Sequence, residues 1–227
     1  MPITMQSFLN DPDPWRAPDP LPGPIETERL VLRLYEHGDA AALLEALDSD
    51  RNGLLPWIVW VRTDNRTIAE CHYSIELFRR AVQEPGCNTF TMGIFDRATG
   101  RLVGGTGLHR IQPGSRVAEI GYWVRSDRRG QGIATEATAA LITAGFAPQA
   151  EGGWGFRRIT ILCAAQNLAS AAVPRKLGLR LELRARQERY LDGVGYHDLL
   201  GFALLAEEWD RAAGRALPGI GWDEAVR

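Results

Sequence analysis

The chain of 227 residues is poor in cysteine and has no long hydrophobic run. Its three cysteines, Cys71, Cys87 and Cys163, lack the spacing of metal ligands, and their low, odd number favours a reducing compartment over a disulfide scaffold. The apolar stretches are shorter than a membrane span, and the N-terminal segment has Asp and Pro where a signal peptide needs basic and then apolar residues. We therefore expect a cytoplasmic protein with no metal site and no membrane partner.

The chain also lacks a large charge of either sign. Its 26 basic and 28 acidic residues give a formal net charge of -2 at pH 7, which provides no electrostatic reason to expect nucleic acid as a partner. Hydrophobic residues make up 45% of the sequence, which is enough for the core of one large domain.

The N-terminal segment is too rich in proline for regular structure. Residues 11–24 contain six prolines and three acidic residues. We predict a loosely attached tail over residues 1–24, a main domain over residues 25–210 and a C-terminal extension over residues 211–227. Trp15 and Phe8 are the apolar side chains that would anchor the tail on a neighbouring subunit if the chain forms a homodimer.

Apolar periodicity and turn residues divide the main domain into short strands and helices. Asp39 is placed to cap the first helix, and Pro85-Gly86 would end the second. The order predicts a mixed α/β chain with a mainly antiparallel sheet and one helix inserted after a central strand. The predicted strands cover residues 28–34, 89–96, 101–111, 116–125, 158–164, 179–191 and 197–205, and the predicted helices cover 39–47, 64–84, 133–147 and 170–177.

A glycine-bearing turn connects the strand at 116–125 to the helix that follows it. The first-turn amides of a helix have no partner inside the helix and carry the positive end of its dipole, so they attract anions. Gly130 and Gly132 lack a Cβ and let a bulky phosphate approach the backbone, while Arg128 and Arg129 add positive charge. The turn therefore predicts a phosphate-binding site.

Two common phosphate motifs do not fit this turn. A Walker loop needs Lys followed by Ser or Thr after its last glycine, where this chain has Ile133 and Ala134. A dinucleotide fingerprint needs a third Gly or Ala at the position of Thr135, within a βαβ unit that the predicted antiparallel strands do not supply.

The turn instead resembles the acyl-CoA signature Arg/Gln-x-x-Gly-x-Gly/Ala of the GNAT superfamily of N-acetyltransferases. Arg129, Gly132 and Ala134 stand at its defining positions. Segments on both sides are similar to the RimJ/RimL branch and follow the order of that branch over roughly residues 25–210. These segments are Ile25-Glu26-Thr27-Glu28-Arg29-Leu30, Gly107-Leu108-His109-Arg110, Glu119-Ile120-Gly121-Tyr122-Trp123, Ala134-Thr135-Glu136-Ala137, Asn167-Leu168-Ala169-Ser170, Lys176-Leu177-Gly178 and Tyr196-His197-Asp198.

This resemblance implies an α/β (α+β) GNAT fold with a mixed, mostly antiparallel central sheet. In that fold the strands before and after the acetyl-CoA-binding helix splay apart as a V, and the pantetheine of the co-substrate acetyl-CoA lies between them. The backbone of the first strand and an asparagine at the end of the second contact the pantetheine, and the turn binds the diphosphate. The residues implied to bind acetyl-CoA are Trp123, Val124, Arg125, Arg129, Gly130, Gln131, Gly132, Ile133, Ala134, Thr135 and Asn167.

Acetyl transfer from a thioester requires a neutral amine, stabilisation of the developing oxyanion and a proton for the departing thiolate. An N-terminal amine with a pKa of about 8 is roughly one-tenth neutral at pH 7, whereas a lysine amine with a pKa of about 10.4 is almost fully charged. Desolvation and a weak base acting through water are therefore sufficient for an α-amine.

Glu119 is the candidate base. It lies on the strand just before the turn, where a carboxylate can face the cleft. The alternative is a solvent-facing strand residue that pairs with an arginine such as Arg110 or Arg116.

Ser170 is the second catalytic candidate, because the resemblance implies that the serine three residues after Asn167 donates a proton to the thiolate. Its alternative role is the N-cap of the helix that follows. Pro174 departs from the family pattern, and we expect it to kink or delay this helix.

The acceptor site has four candidate residues. Trp57 and Trp60 lie where the family builds the acceptor wall, although they equally suit a core between the first two helices. His109 is a candidate for activating the amine, since an imidazole titrates near neutral pH, and His197 would line the acceptor side. For each histidine a structural hydrogen bond is the alternative.

We expect an N-acetyltransferase in which a primary amine attacks acetyl-CoA directly in a ternary complex. The acceptor is expected to be a protein or peptide N-terminal α-amine, or a small-molecule amine. A non-catalytic acyl-CoA-binding sensor or partner module is the alternative, because a binding cradle does not by itself imply turnover.

Overall fold

Eight strands form one mixed sheet in the described part of the chain. The structure is a computed structural model that describes residues 14–58, 60–191, 193 and 195–220. The strands of the sheet are β1 (Ile25–Glu26), β2 (Leu30–Leu34), β3 (Phe90–Asp96), β4 (Leu102–Gln112), β5 (Val117–Val124), β6 (Arg158–Ala164), β7 (Arg180–Leu191) and β8 (Gly195–Leu205). Their order is β1-β2-β3-β4-β5-β6-β8-β7, and every neighbouring pair is antiparallel except β5 with β6.

Helices pack on both faces of this sheet. One face carries α1 (Ala40–Asp48), α2 (Arg51–Leu54), α3 (Trp60–Thr63) and α4 (Ile68–Gln83), and the other carries α5 (Ile133–Phe146) and α6 (Leu168–Leu177). Side chains alternate between the faces along a strand, so Leu30 and Leu32 of β2 join the α5 core while Val31 packs against the α1–α4 core. Within the described ranges, no helix is long and apolar enough to cross a membrane.

Helix α4 begins later than the predicted start at residue 64. Asn65 takes a left-handed φ of 58°, which is incompatible with a helix, and the Thr67 side chain accepts a hydrogen bond from Glu70 N as the N-cap. The helix therefore starts at Ile68 and ends at Gln83, just before the predicted Pro85-Gly86 stop.

The parallel pair β5 and β6 separates after only three residues. Residues 117–119 pair with residues 158–160, and β5 and β6 make no further pairs with each other in the described chain. Their outer edges stay paired, β5 with β4 as far as Val124 and β6 with β8 as far as Ala164. The V-shaped opening expected of the fold is confirmed, and α5 lies in the connection between its two arms.

The tail prediction is wrong at Trp15, which is buried in the core of its own chain. Its side chain is 5% exposed and stacks on Phe156 with 5.1 Å between ring centroids. The indole Nε1 donates to Trp154 O at 2.6 Å, and the Trp15 amide donates to Pro113 O at 3.0 Å. Trp15 therefore does not serve as an anchor on a neighbouring subunit. Phe8 lies outside the described residues.

A short hairpin follows the sheet and crosses the boundary predicted after residue 210. It consists of β9 (Trp209–Asp210) and β10 (Arg215–Ala216). Trp209 is buried, and its Nε1 donates to Thr143 Oγ1 of α5 at 3.0 Å. The first strand of this hairpin, at the end of the predicted main domain, therefore packs against the helix that follows the glycine turn.

Candidate active site

The turn after β5 leaves backbone amides free at the start of α5. A 3-10 turn (Ser126–Arg128) leads into it, and Gly130 and Gly132 take φ angles of 73° and 78° that favour glycine. Gly132 is the N-cap residue, and no side chain caps the helix. The first helical bond runs from Glu136 N to Gly132 O, so the amides of residues 133–135 have no partner inside the helix. Unpaired amides and the positive end of a helix dipole are groups that attract anions.

The two arginines before the turn are already paired with carboxylates. Arg128 forms a close ion pair with Asp96. Arg129 Nη1 donates to Asp50 Oδ2 at 2.6 Å, and its Nε donates to Val124 O at 3.2 Å. Much of the arginine charge is therefore neutralised within the chain, and the free amides are the groups left to attract an anion.

Two of the motif segments meet in one network that fixes the first turn of α5. Glu136 Oε1 accepts from Thr27 Oγ1 at 2.6 Å, and Glu136 Oε2 accepts from Arg29 Nε at 2.7 Å. Arg29 Nη1 also donates to Gln131 O at 3.1 Å. Burial opposes ionisation of Glu136, but the hydrogen bonds from Thr27 and Arg29 outweigh it and lower the pKa of the carboxyl. The network joins the β1–β2 segment to the glycine turn.

On the edge of β5 that faces the opening, the backbone groups of Tyr122 and Val124 point away from β4. Arg125 N donates to Val103 O at 3.0 Å, and bonded and non-bonded residue pairs alternate along an antiparallel ladder. Trp123 therefore also directs its backbone groups towards β4, while the intervening residues direct theirs outwards. Trp123 and Arg125 were predicted to contact pantetheine through the backbone, but of the three predicted residues Val124 alone turns its backbone groups outwards, and its carbonyl already accepts from Arg129 Nε.

The side chains of Trp123 and Arg125 support the strand instead. Arg125 is 3% exposed, and it donates to Asp127 at 2.6 Å and to Glu45 of α1 at 3.2 Å. The Trp123 indole covers Gly105, where an added Cβ would lie 2.3 Å from the indole Nε1. Both side chains thus fasten β5 to the α1–α4 face.

Asn167, not Ser170, is the N-cap of α6. Asn167 Oδ1 accepts from Ser170 N at 3.0 Å, which leaves its Nδ2 as a hydrogen-bond donor. The capping role predicted as the alternative for Ser170 is therefore wrong, and its hydroxyl is not used by a cap. The expected delay at Pro174 is also wrong, since the helix begins at Leu168 and continues through the proline to Leu177.

Ser170 belongs to a half-buried polar group at the opening. Tyr122 OH donates to Ser170 O at 2.8 Å, and Ser170 Oγ lies 3.5 Å from the same hydroxyl. Burial raises the pKa of Tyr122 and of Cys163, while hydrogen bonds with Ser170 act in the opposite direction on both. The phenol and the thiol therefore stay protonated at neutral pH.

Glu119 lies at the apex of the V. It is the last residue of β5 that pairs with β6, opposite Thr160. Its side chain is 19% exposed and accepts two hydrogen bonds from Arg110 Nη1, at 3.0 and 3.3 Å. This geometry matches the alternative of a strand glutamate paired with Arg110, and a catalytic role for Glu119 stays a prediction.

Glu119 and Ser170 approach the opening from opposite faces of the sheet. Trp123 packs with the α1–α4 core and Tyr122 with the α5 core. Because side chains alternate along β5, Glu119 shares the face of Trp123, whereas Ser170 is bonded to Tyr122 on the other face. The two candidate side chains therefore lie on different faces of the sheet.

His109 is neutral at physiological pH. Burial lowers its pKa to about 4, and the charge of Arg110 acts in the same direction. Its ring covers two glycines, so that an added Cβ would come within 2.8 Å of the ring at Gly107 and 3.5 Å at Gly121. The expectation that His109 titrates near neutral pH is wrong, and its imidazole is a weak base at this position.

The two tryptophans of the predicted acceptor wall lie at the surface. Trp57 is 37% exposed and Trp60 is 39% exposed, so the alternative of a core position is wrong. Their segment follows Asp50, whose carboxylate pairs with Arg129, and Ser126 Oγ donates to Ser49 O at 3.0 Å. The residues that precede the predicted wall are therefore attached to the glycine turn, and contact of the two tryptophans with an acceptor stays a prediction.

His197 lies on β8 opposite Arg189 of β7. Its Nε2 is buried and has no hydrogen-bond partner among the residues that the structure describes. The neighbouring Asp198 pairs with Arg184 at 2.9 Å. An acceptor role for His197 therefore stays a prediction.

A comparison with protein families agrees with this geometry. The model described as the acetyltransferase (GNAT) domain matches residues 29–180. The chain belongs to the GNAT acetyltransferase family. It is an N-acetyltransferase with acetyl-CoA as its co-substrate, and the predicted RimJ/RimL-like branch is confirmed by its relatives.

Relatives of this GNAT acetyltransferase cover most of its length. It is 32% identical to YdaF of Bacillus subtilis (strain 168), which is named as a ribosomal N-acetyltransferase, over 81% of this chain and 94% of that protein. It is also similar to the solved structure of RimL, a ribosomal L7/L12 alpha-N-protein acetyltransferase in complex with coenzyme A. That similarity has a TM-score of 0.70 at 26% identity and covers 80% of this chain and 97% of the other.

The sequence prediction for this acetyltransferase missed Tyr122 and Asp50. Strand alternation was a usable signal for Tyr122, because it separates the free-edge residues from those bonded to β4. Asp50 had no local signal, since it lies 79 residues from its partner Arg129. The structure places Val124 beside Arg129 of the turn, and places Ser170 and its cap residue Asn167 beside Tyr122.

Proposed function

We propose that this acetyltransferase modifies the N-terminal α-amine of a protein or peptide, by direct attack of the amine on acetyl-CoA in a ternary complex. The proposal rests on one observation: neither of the two candidate bases, His109 and Glu119, is a strong base in this structure. His109 has a pKa of about 4, and Glu119 is paired with Arg110. An α-amine is roughly one-tenth neutral at pH 7 and needs only a weak base, whereas a lysine amine would need a strong one.

The relatives support the same class of acceptor. YdaF is named as a ribosomal N-acetyltransferase, and RimL as an alpha-N-protein acetyltransferase of ribosomal L7/L12. We therefore propose the N-terminus of a ribosomal protein as acceptor and the cytoplasm as location. The free thiols of Cys71, Cys87 and Cys163 are in keeping with a reducing compartment. Homodimer formation stays a prediction.

The site offers groups that suit each part of acetyl-CoA. The free amides of residues 133–135 are suited to the diphosphate, and the outward-facing N–H of Val124 and the Asn167 Nδ2 are suited to the pantetheine amides. A cavity of about 450 Å³ beside the turn has room for the phosphate-bearing nucleotide end. Its lining includes Arg29, Arg97, Arg128 and Gln131, together with Glu28 and Asp96.

Ser170 and Glu119 provide the two proton transfers in this proposal. Acetyl-CoA supplies the thioester carbonyl that the amine attacks, with formation of a C–N bond and loss of the C–S bond. The hydroxyl of Ser170, which no cap uses, donates a proton to the departing sulfur. Glu119 accepts the proton that the amine loses, either directly or through water, from the opposite face of the sheet.

The acceptor is tested by thiol release from acetyl-CoA with three kinds of amine. These are a peptide with a free α-amine, the same peptide with a blocked N-terminus and an internal lysine, and a panel of small amines. We expect turnover of the free peptide only. Turnover of the blocked peptide or of small amines alone contradicts the proposed acceptor, and binding of acetyl-CoA with no turnover at all supports the sensor alternative.

The roles of the two residues are tested by single substitutions. Ser170→Ala is expected to lower kcat by about 100-fold, since general acid catalysis typically contributes that much. The exposed Ser115, in the turn between β4 and β5, is the matched control, and Ser115→Ala should leave kcat unchanged. Full turnover of Glu119→Gln across the pH range would remove Glu119 from the mechanism.

A further inference from the structure

A hydrogen bond from Tyr122 connects the two sides of the V beyond the last backbone pair of its arms. Beyond the last β5–β6 pair at Glu119 and Thr160 the arms separate, and Tyr122 lies three residues along the first arm. Its hydroxyl reaches across to Ser170 O in the first turn of α6, which follows the second arm, at 2.8 Å. The bond therefore lies across the opening in which the proposed pantetheine site is found.

Pro174 explains why the carbonyl of Ser170 is available. In an α-helix the amide of residue i+4 donates to the carbonyl of residue i, and for Ser170 that residue is Pro174, which has no N–H. The helix continues through the buried proline to Leu177 in spite of the missing bond. The acceptor left unpaired inside the helix is then bonded by the hydroxyl of Tyr122.

The same hydroxyl also lies beside the proposed acid. Ser170 Oγ is 3.5 Å from Tyr122 OH, and the Ser170 amide is bonded to Asn167 Oδ1 at 3.0 Å. Burial raises the pKa of Tyr122, so the phenol remains a hydrogen-bond donor throughout the working pH range. The first turn of α6 is therefore fixed by two bonds: Tyr122 of β5 bonds its Ser170 carbonyl, and Asn167 caps its Ser170 amide.

We propose that Tyr122 is a positioning residue for acetyl transfer: it fixes the first turn of α6, with the Asn167 amide and the Ser170 hydroxyl, at a set distance from the free edge of β5. Pro174 makes this possible by leaving the Ser170 carbonyl without a helical donor. The inference rests on the proposed function, because Ser170 acts there as the proton donor. A role of Tyr122 in stability alone is the competing explanation.

Tyr122→Phe removes the bridging hydroxyl and keeps the ring. We expect kcat to fall about 10-fold, which corresponds to about 1.4 kcal/mol, and the KM for acetyl-CoA to rise. Adding Pro174→Ala to this variant restores an amide that can donate to Ser170 O inside the helix. The double variant should then recover the Tm lost in Tyr122→Phe but not kcat, because the arms remain unconnected. Recovery of both would show that Tyr122 only satisfies the carbonyl, and would overturn the proposal.

A double-mutant cycle with Ser170→Ala tests whether Tyr122 acts through the serine. The effects on kcat should be far from additive, with Tyr122→Phe costing little once Ser170 is alanine. Additive effects would overturn the proposal, and so would an unchanged kcat in Tyr122→Phe. Tyr73 of α4 is 67% exposed, and Tyr73→Phe is the matched control expected to behave as wild type. Acetyl-CoA binding is measured for the wild type and every variant by calorimetry. If the wild type binds acetyl-CoA but shows no turnover, the proposed function is wrong, and this outcome is distinct from a failure of the positioning role of Tyr122.

Discussion

Replacing Gly132 with alanine separates the strain of the glycine turn from its role in binding. Gly132 has a φ of 78°, at which alanine is strained by about 1–2 kcal/mol. Alanine also lowers the conformational entropy of the unfolded chain, which offsets about 0.4–1 kcal/mol of that loss. The added Cβ would lie 3.6 Å from Arg29 Nη2, an ordinary contact that adds no clash. We expect a loss of about 1 kcal/mol in the free energy of unfolding, or a fall in Tm of about 2–4 °C for a chain of this size.

Gly100 provides the matched control for this change. It lies in the turn between β3 and β4 with a φ of 70°, and an added Cβ would have no atom within 4 Å. Gly100→Ala should therefore show a similar fall in Tm and an unchanged KM for acetyl-CoA. Gly132→Ala should raise that KM about 10-fold, the equivalent of about 1.4 kcal/mol, because its methyl group stands on the turn that we propose as the diphosphate site.

Thermal unfolding and steady-state kinetics of the two variants decide the matter. If both lose the same stability and the KM of Gly132→Ala stays within twofold of wild type, the turn is not the diphosphate site. If Gly132→Ala loses no stability, the strain assigned to the left-handed φ is wrong.

Three further predictions concern the network, the histidine and the tail. Folding lowers the pKa of Glu136, so its ionised form stabilises the protein above the unfolded-state pKa of about 4.3, and this stabilisation is lost as the pH falls through the folded-state pKa. In denaturant unfolding, Glu136→Gln should therefore be less stable than wild type at pH 7 and as stable as wild type in acid. His109, with a folded pKa of about 4 against about 6.5 unfolded, makes stability decline as the pH falls from 6.5 towards 4; His109→Gln should flatten this decline, and NMR titration should find the ring neutral at pH 6. Trp15→Ala should cost about 3–5 kcal/mol of unfolding free energy, whereas removal of a loosely attached residue would cost almost nothing.

Local patterns predict most of the fold because alternation and helical spacing report directly on the face that each element buries. The strand predicted over residues 158–164 is β6 as observed, and the strands of the β3–β4–β5 meander differ from prediction by one residue at their ends. The tail prediction failed at Trp15 because of a distant contact. Trp15 lies 139 residues from Trp154, whose carbonyl accepts its indole N–H, and no pattern near a proline-rich segment reports such a contact.

The residues of the candidate site also divide into those that a local motif predicts and those that depend on distant contacts. The glycine turn and the asparagine after β6 belong to short sequence motifs, so their residues could be predicted from the sequence. The partners of the arginines could not, because the ion pair of Arg129 with Asp50 depends on how the segments between them pack. Ser170 was open to two interpretations because serine and asparagine are both good N-caps, and only geometry shows that Asn167 takes that position.

The carboxylate of Asp50 performs two tasks at once. Oδ1 accepts from Gly53 N at the start of α2, which precedes the two exposed tryptophans, and Oδ2 accepts from Arg129 at the glycine turn. A ligand that displaces Arg129 therefore removes one of the bonds that hold the capping carboxylate of α2, and a ligand that reorganises α2 removes one of the bonds that hold this carboxylate for Arg129. Binding free energies are reciprocal, so any such effect of one substrate on the affinity for the other is equal in both directions. A single side chain thus links the glycine turn to the start of the segment that carries the two tryptophans.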